Sequence, residues 1–397
     1  MNDDGSIQMD PQSKNPRNRM RCLLVVPSLI RAGAETQAVD LANGLAARGH
    51  TIHLCSFEPQ IDQRGRLSDE VQFHHVQRKF KFDLSLISKV AGIIDREGIN
   101  VVQGVMEFAT LVAWLAAKLS DSKPPVVAAI HTTINRGPKQ EMHGRLVYRR
   151  MLRRLPAVVF VCEHQRDHWI KKYPELLRTS TVVHNGVSPE SFRRVDFAEQ
   201  ARQLRADLSI SADTFVISCI AGFRPEKGHK LLIDAFSRNH ENTCLVFAGD
   251  GDLRPEMEAY AEAAGLTNRT RFLGNIPDTR PLIVASNATV LASTAVETFS
   301  MAMLESMALG VPMIAPRIGG LPEAIIDGET GLLFPVGDSS ALATCIQSVV
   351  ENDSEAARMG QSAERKVSEE FTFEKMVAGS ERVLITTMHT IERSRDL

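Results

Sequence analysis

Long apolar runs are missing from this 397-residue sequence. No stretch approaches the eighteen or so successive apolar residues that a bilayer-spanning helix needs, so any work at a membrane is expected to be done from its surface. The first twenty residues lack even the shorter apolar core of a secretory signal. Asp3, Asp4, Lys14, Arg17 and Arg19 surround a single isoleucine, which predicts a disordered tail over residues 1–20 and a cytoplasmic protein. Cysteine is sparse: Cys22, Cys55, Cys162, Cys219, Cys244 and Cys345 are scattered with no C-x-x-C, several inside apolar runs, as buried thiols in a reducing compartment would be. Excess charge of one sign is also absent, since 46 basic and 48 acidic side chains leave a net charge of -2. Such a balance supplies no global field for nucleic acid, and an anionic partner has to be met by a local patch. What remains is ordinary globular composition, 43% hydrophobic and 24% charged, which excludes collagen-like, low-complexity and wholly disordered chains.

A chain of this length exceeds one hydrophobic core and predicts two domains. From Arg21 onward, short β-branched runs alternate with segments of helical period: Cys22–Leu29, then Glu35–Arg48, then Thr51–Phe57. That is the signature of βαβ units. Apolar runs at 101–105, 126–130, 157–162 and 181–183 read as parallel strands buried on both faces. A polar stretch from Ser188 to about Asp213 follows, and then the rhythm restarts with 215–220, 244–248, 271–273, 288–291, 312–315 and 331–334. The predicted fold class is α/β, with two doubly wound Rossmann-like domains facing across a cleft. The first covers 21–195, the second 196–374, and a C-terminal helix over about 375–397 packs back on the first. Ligands of such sheets lie beyond the carboxyl ends of the strands.

The densest chemical signal is Glu297-Thr-Phe-Ser-Met-Ala-Met-Leu-Glu305. Residues 300–309 are good helix formers without a β-branched member, and Gly310 suits the position after the helix. The backbone amides of Thr298, Phe299, Ser300 and Met301, backed by the helix dipole, would form a diphosphate site. Glu305, about 12 Å further along the helix, would serve the other end of a nucleotide sugar. An isolated pair of glutamates reads rather as a capping acid and a solvated helix residue, and it is the neighbouring motifs that favour a site.

In Gly222-Phe-Arg-Pro-Glu-Lys-Gly228, Arg224 and Lys227 stand on a βα loop where fixed cations would neutralise a leaving nucleoside diphosphate without a metal, or form an ordinary solvated loop. Gly249-Asp-Gly-Asp252 contains a literal D-x-D, but its glycines are explained by a tight turn close to a ligand, and no metal is expected. In the first half, Gly33 of Arg31-Ala-Gly-Ala-Glu35 would let backbone approach a substrate. His131 ends a strand at the ligand edge, where the alternative is a satisfied structural histidine. No G-x-G-x-x-G follows the first strand, which disfavours a nicotinamide dehydrogenase.

These blocks together resemble the family-four, or group 1, retaining glycosyltransferases of GT-B fold, over nearly the whole chain after Met20. The E-x7-E stretch carries most of the resemblance, with Ala308-Leu-Gly-Val-Pro312, Gly319-Gly-Leu-Pro-Glu323 and Asp327-Gly-Glu-Thr-Gly331. The Gly33-Ala-Glu35 loop, Arg48-Gly-His50 and Val183-His-Asn-Gly-Val187 add to it. The resemblance implies hexosyl transfer with retention from a UDP- or GDP-sugar to a glycan, lipid-linked or small-molecule acceptor, as in polysaccharide or glycolipid synthesis. By it Glu305 would hold the ribose, Glu297 would face the donor sugar, and Lys227 with Arg224 would grip the diphosphate. Gly33 and His131 would serve the acceptor side, and Gly249 and the backbone near Gly274 and Ile276 the nucleotide. One departure stands out: the family's arginine five residues before the lysine is replaced by Gly222, so that either Arg224 substitutes for it or one cation is missing.

A sugar-nucleotide epimerase of the same architecture and a non-catalytic sugar-nucleotide-binding protein remain as alternatives. A helix over 144–155 would set Arg145, Arg149, Arg150, Arg153 and Arg154 opposite Val147, Tyr148, Met151, Leu152 and Leu155. That pattern fits either a helix resting on anionic lipid at the inner face of the plasma membrane or an internally packed helix with a solvated basic face.

Overall fold

The structure is a computed structural model and describes residues 19–80, 83–132, 147–239, 241–295 and 297–395, without the side chains of 391–395. The chain divides into two compact units, one of residues 1–161, 165–184 and 374–397, the other of 162–164 and 185–373. The continuous part of the first unit thus closes before the polar stretch, which belongs to the second, and residues 374–397 return to the first. Of the tail expected over 1–20, residues 1–18 lie outside the described residues. Met20 is buried, its amide donating to His50 Nδ1 at 3.2 Å.

In the first unit the elements run β1 (Arg21–Val26), α1 (Gly33–Ala47), β2 (Thr51–Ser56), β3 (Val71–His75), α2 (Ser85–Arg96), β4 (Val101–Val105), α3 (Glu107–Leu119), β5 (Val126–Ile130), α4 (Arg149–Leu152), β6 (Ala157–Phe160), α5 (Glu163–Lys172) and β7 (Ser180–Val182). The strands form one parallel sheet in the order β3-β2-β1-β4-β5-β6-β7. β1, β4 and β5 are buried almost throughout, as expected for strands covered on both faces. β3 was not foreseen: it is an edge strand reading Val-Gln-Phe-His-His, and only Val71 is fully buried.

The second unit runs α6 (Ala198–Asp207), β8 (Phe215–Ile220), α7 (His229–Phe236), β9 (Thr243–Ala248), α8 (Arg254–Ala263), β10 (Thr270–Phe272), α9 (Arg280–Ala285), β11 (Ala288–Val290), α10 (Met301–Ala308), β12 (Met313–Pro316), α11 (Leu321–Ala324), β13 (Gly331–Phe334), α12 (Ser339–Glu351) and α13 (Asp353–Glu370). Its sheet order, β10-β9-β8-β11-β12-β13, is again parallel and repeats the doubly wound pattern. α14 (Phe373–Arg395) follows, and its side chains Glu374 and Glu381 pair with Arg48 at 2.8 and 2.7 Å, while Glu381 also reaches His50 at 2.7 Å.

The helix expected over 144–155 is reduced among the described residues to α4, and residues 144–146, including Arg145, lie outside them. Met151, Leu152 and Leu155 are buried in the first unit's core, and Arg149 and Arg153 are exposed and share Glu175 at 2.7 and 3.7 Å. Met151, Leu152 and Leu155 thus cover protein, while Val147 on the same face is exposed. Desolvation in the strands pushes the thiols of Cys22, Cys55 and Cys219 up to about 12.

Candidate functional site

In the second sheet the strand order reverses between β8 and β11, and ligands of doubly wound sheets collect at that switch point, beyond the carboxyl ends of the strands. The loop after β8 carries Lys227 in a one-turn 3-10 helix, Pro225–Lys227, closed by Gly228 at φ +64. The loop after β11 carries Glu297. These loops are laced together: the Thr294 amide donates to the Glu226 carbonyl at 2.9 Å, and a Cβ at Gly228 would lie 2.0 Å from the Ala292 carbonyl oxygen. Only glycine allows that approach.

Lys227 Nζ donates to Glu297 Oε1, and Ser293 Oγ donates to the same oxygen at 2.6 Å. The pair is largely shielded, with side-chain exposures of 16% and 8%. A shielded cation and a fixed carboxylate at a switch point are what recognition of an anionic, hydroxyl-rich ligand requires.

Beyond Glu297 the chain enters α10. Ser300 is its N-cap, Oγ accepting from the Met303 amide at 3.4 Å, and Met301 is its first residue, so the first-turn amides open toward the end of the sheet. Gly310 at φ +67 ends the helix as foreseen. Thr298 and Phe299 hold the turn through their carbonyls, which accept from the Gly320 amide at 2.8 Å and from Asn185 Nδ2 at 2.9 Å, and the Phe299 ring packs on Phe371. Glu305 sits further along α10, its Oε2 accepting from Thr279 Oγ1 at 2.9 Å, so its carboxylate is oriented toward the loop after β10. Ser293, Asn185 and Thr279 were not identified from sequence as site residues. Asn185 lay in a recognised motif without an assigned role.

Arg224 is half-exposed, and its Nε lies 3.4 Å from Glu226 Oε1. A Cβ at Gly222 would lie 3.8 Å from the same Nε and 3.4 Å from the Asp250 carbonyl oxygen, so the guanidinium stands over the bare backbone of residue 222.

Gly249 (φ +137) is required by backbone packing, since a Cβ there would lie 2.2 Å from the Ala221 carbonyl oxygen. Its amide donates to the carbonyl of Gly274 (φ +70) at 2.8 Å. Ile276 lines a shallow cavity of about 280 Å³ with Leu273, Asp278 and residues of α6. Within D-x-D, Asp250 accepts from the Gly251 amide at 2.8 Å and lies 3.5 Å from Arg254. Among the described residues, no three His, Cys, Asp or Glu side chains gather in a metal-holding cluster.

In the first unit, Gly33 opens α1 as an ordinary helical residue, so the left-handed freedom of glycine is not what this position uses. The neighbouring Glu35 is buried, and desolvation pushes its carboxyl up although it accepts from Ser28 Oγ at 3.4 Å. His131 follows β5 at the carboxyl edge, and burial pushes its imidazole down to about 4, leaving it neutral at pH 7. Met106, at the first sheet's own switch point, adopts φ +69, a conformation that costs a residue with a side chain about 1–3 kcal/mol. Strain of this kind concentrates at ligand edges, and nothing in the sequence signalled it.

Comparison with known proteins follows the same division. The family model described as "Glycosyl transferases group 1" matches residues 200–366, and "Glycosyltransferase Family 4" matches 31–191. The chain is similar to an N-acetyl-alpha-D-glucosaminyl L-malate synthase of Bacillus anthracis, 26% identical over 88% of this chain and 93% of that protein. It is also similar to a putative glycosyltransferase, EpsD, of Bacillus subtilis, 34% identical over 50% and 53%. Among solved structures, the Anabaena protein HepE in complex with UDP and glucose superimposes with a TM-score of 0.81 at 23% identity, over 92% of this chain and 99% of that one. The likeness shows the fold, two Rossmann-like domains of GT-B type.

Proposed function

Because this chain belongs to the group 1 glycosyltransferases, we propose that it transfers a hexosyl unit, with retention and without a metal, from a nucleotide sugar to a hydroxyl of a glycan, lipid-linked or small-molecule acceptor. The observation that carries this reading is the Lys227–Glu297 pair at the second sheet's switch point, beside the opening turn of α10. Lys227 and the α10 amides stabilise the charge that grows on the departing diphosphate, and Arg224 supplies the second cation in place of one at position 222. Glu297, held by Ser293, takes a hydroxyl of the donor sugar, and Glu305, oriented by Thr279, takes the ribose diol. As the glycosidic bond loosens, the acceptor hydroxyl enters on the face the phosphate leaves, and a phosphate oxygen takes its proton. HepE has been solved with UDP and with UDP-glucose, which favours a UDP-sugar as the donor to try first.

The test is a thermal-shift series with UDP, GDP, ADP and their sugars, followed by turnover against acceptors. A nucleotide present at about a hundred times its Kd stabilises the folded state by about 2.7 kcal/mol, a readily measured shift. Lys227→Ala is expected to lose most of that shift and nearly all turnover. Near-normal turnover in Lys227→Ala would overturn the assignment, and donor consumption without any acceptor would replace transfer by epimerisation or hydrolysis.

A further inference from the structure

The turn that opens α10 is shaped from outside its own loop. The Phe299 carbonyl accepts from Asn185 Nδ2 at 2.9 Å, a bond between residues 114 apart, and Asn185 is buried. A carbonyl only accepts, so the group that meets it has to be the NH2 of the asparagine. Asn185 is itself held by its neighbours. A Cβ at Gly186 would lie 2.3 Å from the Thr372 carbonyl oxygen, the Val187 amide donates to the Phe371 carbonyl at 3.1 Å, and the Phe373 amide donates to the Val187 carbonyl at 2.8 Å. Phe371 in turn packs on the Phe299 ring, with centroids 5.1 Å apart. Asn185 and Phe299 are therefore docked on one segment, 371–373, and the long run of the second unit, 185–373, brings its two ends together at the turn.

Fixing that carbonyl fixes an amide. The peptide joining Phe299 to Ser300 is trans and planar, so its C=O and the N–H of Ser300 point in opposite directions. With the carbonyl drawn to Asn185, the Ser300 N–H is turned the other way, and it has no acceptor among the described residues. The oxygens of this N-cap residue are already engaged, Oγ with the Met303 amide at 3.4 Å and the carbonyl with the Leu304 amide at 3.2 Å. What Ser300 offers an anion is this one amide, at the positive end of the helix. A donor aimed in advance costs no reorganisation when charge develops in front of it.

We propose that Asn185 is a positioning residue for the diphosphate: by holding the Phe299 carbonyl it aims the Ser300 amide at the outer phosphate of a nucleoside diphosphate, the one that carries the sugar. The proposal rests on the transferase reading, in which Glu305 takes the ribose and Glu297 the sugar, so that the turn just after Glu297 meets the phosphate nearer the sugar.

Paired nucleotides test it. UDP and UMP, with GDP and GMP and ADP and AMP in the same series, are titrated against the full chain by calorimetry. The unaltered chain is expected to hold one diphosphate at least about tenfold more tightly than its monophosphate, the weight of a hydrogen bond to a charged group. Asn185→Leu, close in size but without a donor, and Asn185→Asp, of the same shape with acceptors only, should each lower that preference at least about fivefold while the monophosphate binds within about twofold of normal. Asn185→His returns an N–H near the place of Nδ2 and should restore most of the preference. With the matching nucleotide sugar, kcat in Asn185→Leu should fall at least about a hundredfold. Equal binding of diphosphate and monophosphate by the unaltered chain would overturn the diphosphate site itself, and with it the transferase reading. An unchanged preference in Asn185→Leu and Asn185→Asp would overturn only the role of Asn185. So would variants that lose monophosphate and diphosphate in the same proportion, since the residue would then hold the unit together rather than aim one amide.

Discussion

Gly319 stands against the backbone carbonyl of Glu297 so closely that a Cβ on residue 319 would lie 1.6 Å from that oxygen. Gly320 does the same to Thr298, at 2.3 Å, while its amide donates to the Thr298 carbonyl. The paired glycines are thus the floor on which the turn ahead of α10 rests. Because Gly319 also has φ +58, a side chain there meets both backbone strain and a clash that only movement of Glu297 relieves.

Gly319→Ala is therefore expected to lower kcat at least about a hundredfold and to lower the melting temperature, whereas Gly328→Ala, at φ +76 with open space around it, should cost only about 1 kcal/mol of strain and leave turnover intact. Thermal melting and initial rates measured on both variants separate strain from displacement of the glutamate. Equal rates would show that Glu297 need not hold its place.

The Lys227–Glu297 pair makes a different prediction, because each charge is shielded and each leaves the other stranded when removed. Lys227→Met alone should destabilise the chain by about 3 kcal/mol, and combining it with Glu297→Gln should recover much of that loss. Activity should stay about a hundredfold or more below normal in both variants, since catalysis needs the cation at the diphosphate and stability needs only the pairing. Denaturant melts and turnover numbers on the same preparations check both halves.

Strands were legible wherever burial on both faces wrote a continuous apolar run: 101–105, 126–130, 215–220 and 331–334 were read to the residue. β3 escaped because an edge strand needs only one covered position, and Gln72, His74 and His75 hide it. Within the site, Glu297, Lys227 and Glu305 were readable as motif residues, but their partners were not. Lys227 and Glu297 are 70 residues apart and Asn185 and Phe299 are 114 apart, and only the sheet order brings such positions together. Over 144–155 the same pattern serves a core and a bilayer alike, and among the described residues Met151 and Leu152 are buried while Val147 is exposed.

Glu381 holds α14 through two partners at once, Arg48 at 2.7 Å and His50 at 2.7 Å, with all three side chains at most 10% exposed. Glu381→Ala leaves a buried guanidinium and an imidazole without their acceptor, so a loss of about 3 kcal/mol is expected, and hydrogen exchange should quicken in α14 before it does in β1 or β4. Glu374→Ala, whose carboxylate is half-exposed, should cost under about 1 kcal/mol. A comparable loss in both variants would show that burial is not what gives the Glu381 contacts their weight.

Acid should weaken the fold earlier than carboxylate titration alone would. Desolvation pushes the imidazoles of His53, His131 and His229 down to about 4, from an ordinary value of 6.5, with the neighbouring His74 adding to the effect at His53. The unfolded chain therefore binds protons at these sites between about pH 6.5 and 4 while the folded chain does not, so the stability they contribute is complete above 6.5 and falls as pH drops through that window. His229 lies in the second unit, stacked on Phe223 with ring centroids 4.1 Å apart and against Phe247 at 5.8 Å, where a phenyl ring would fit without a proton to bind. Melting temperatures measured at pH 7 and pH 5 should drop by several degrees in the unaltered chain and by less in His229→Phe. An equal drop in both would mean that this histidine already carries its proton in the fold, and that the neutral, stacked ring is the wrong description of it.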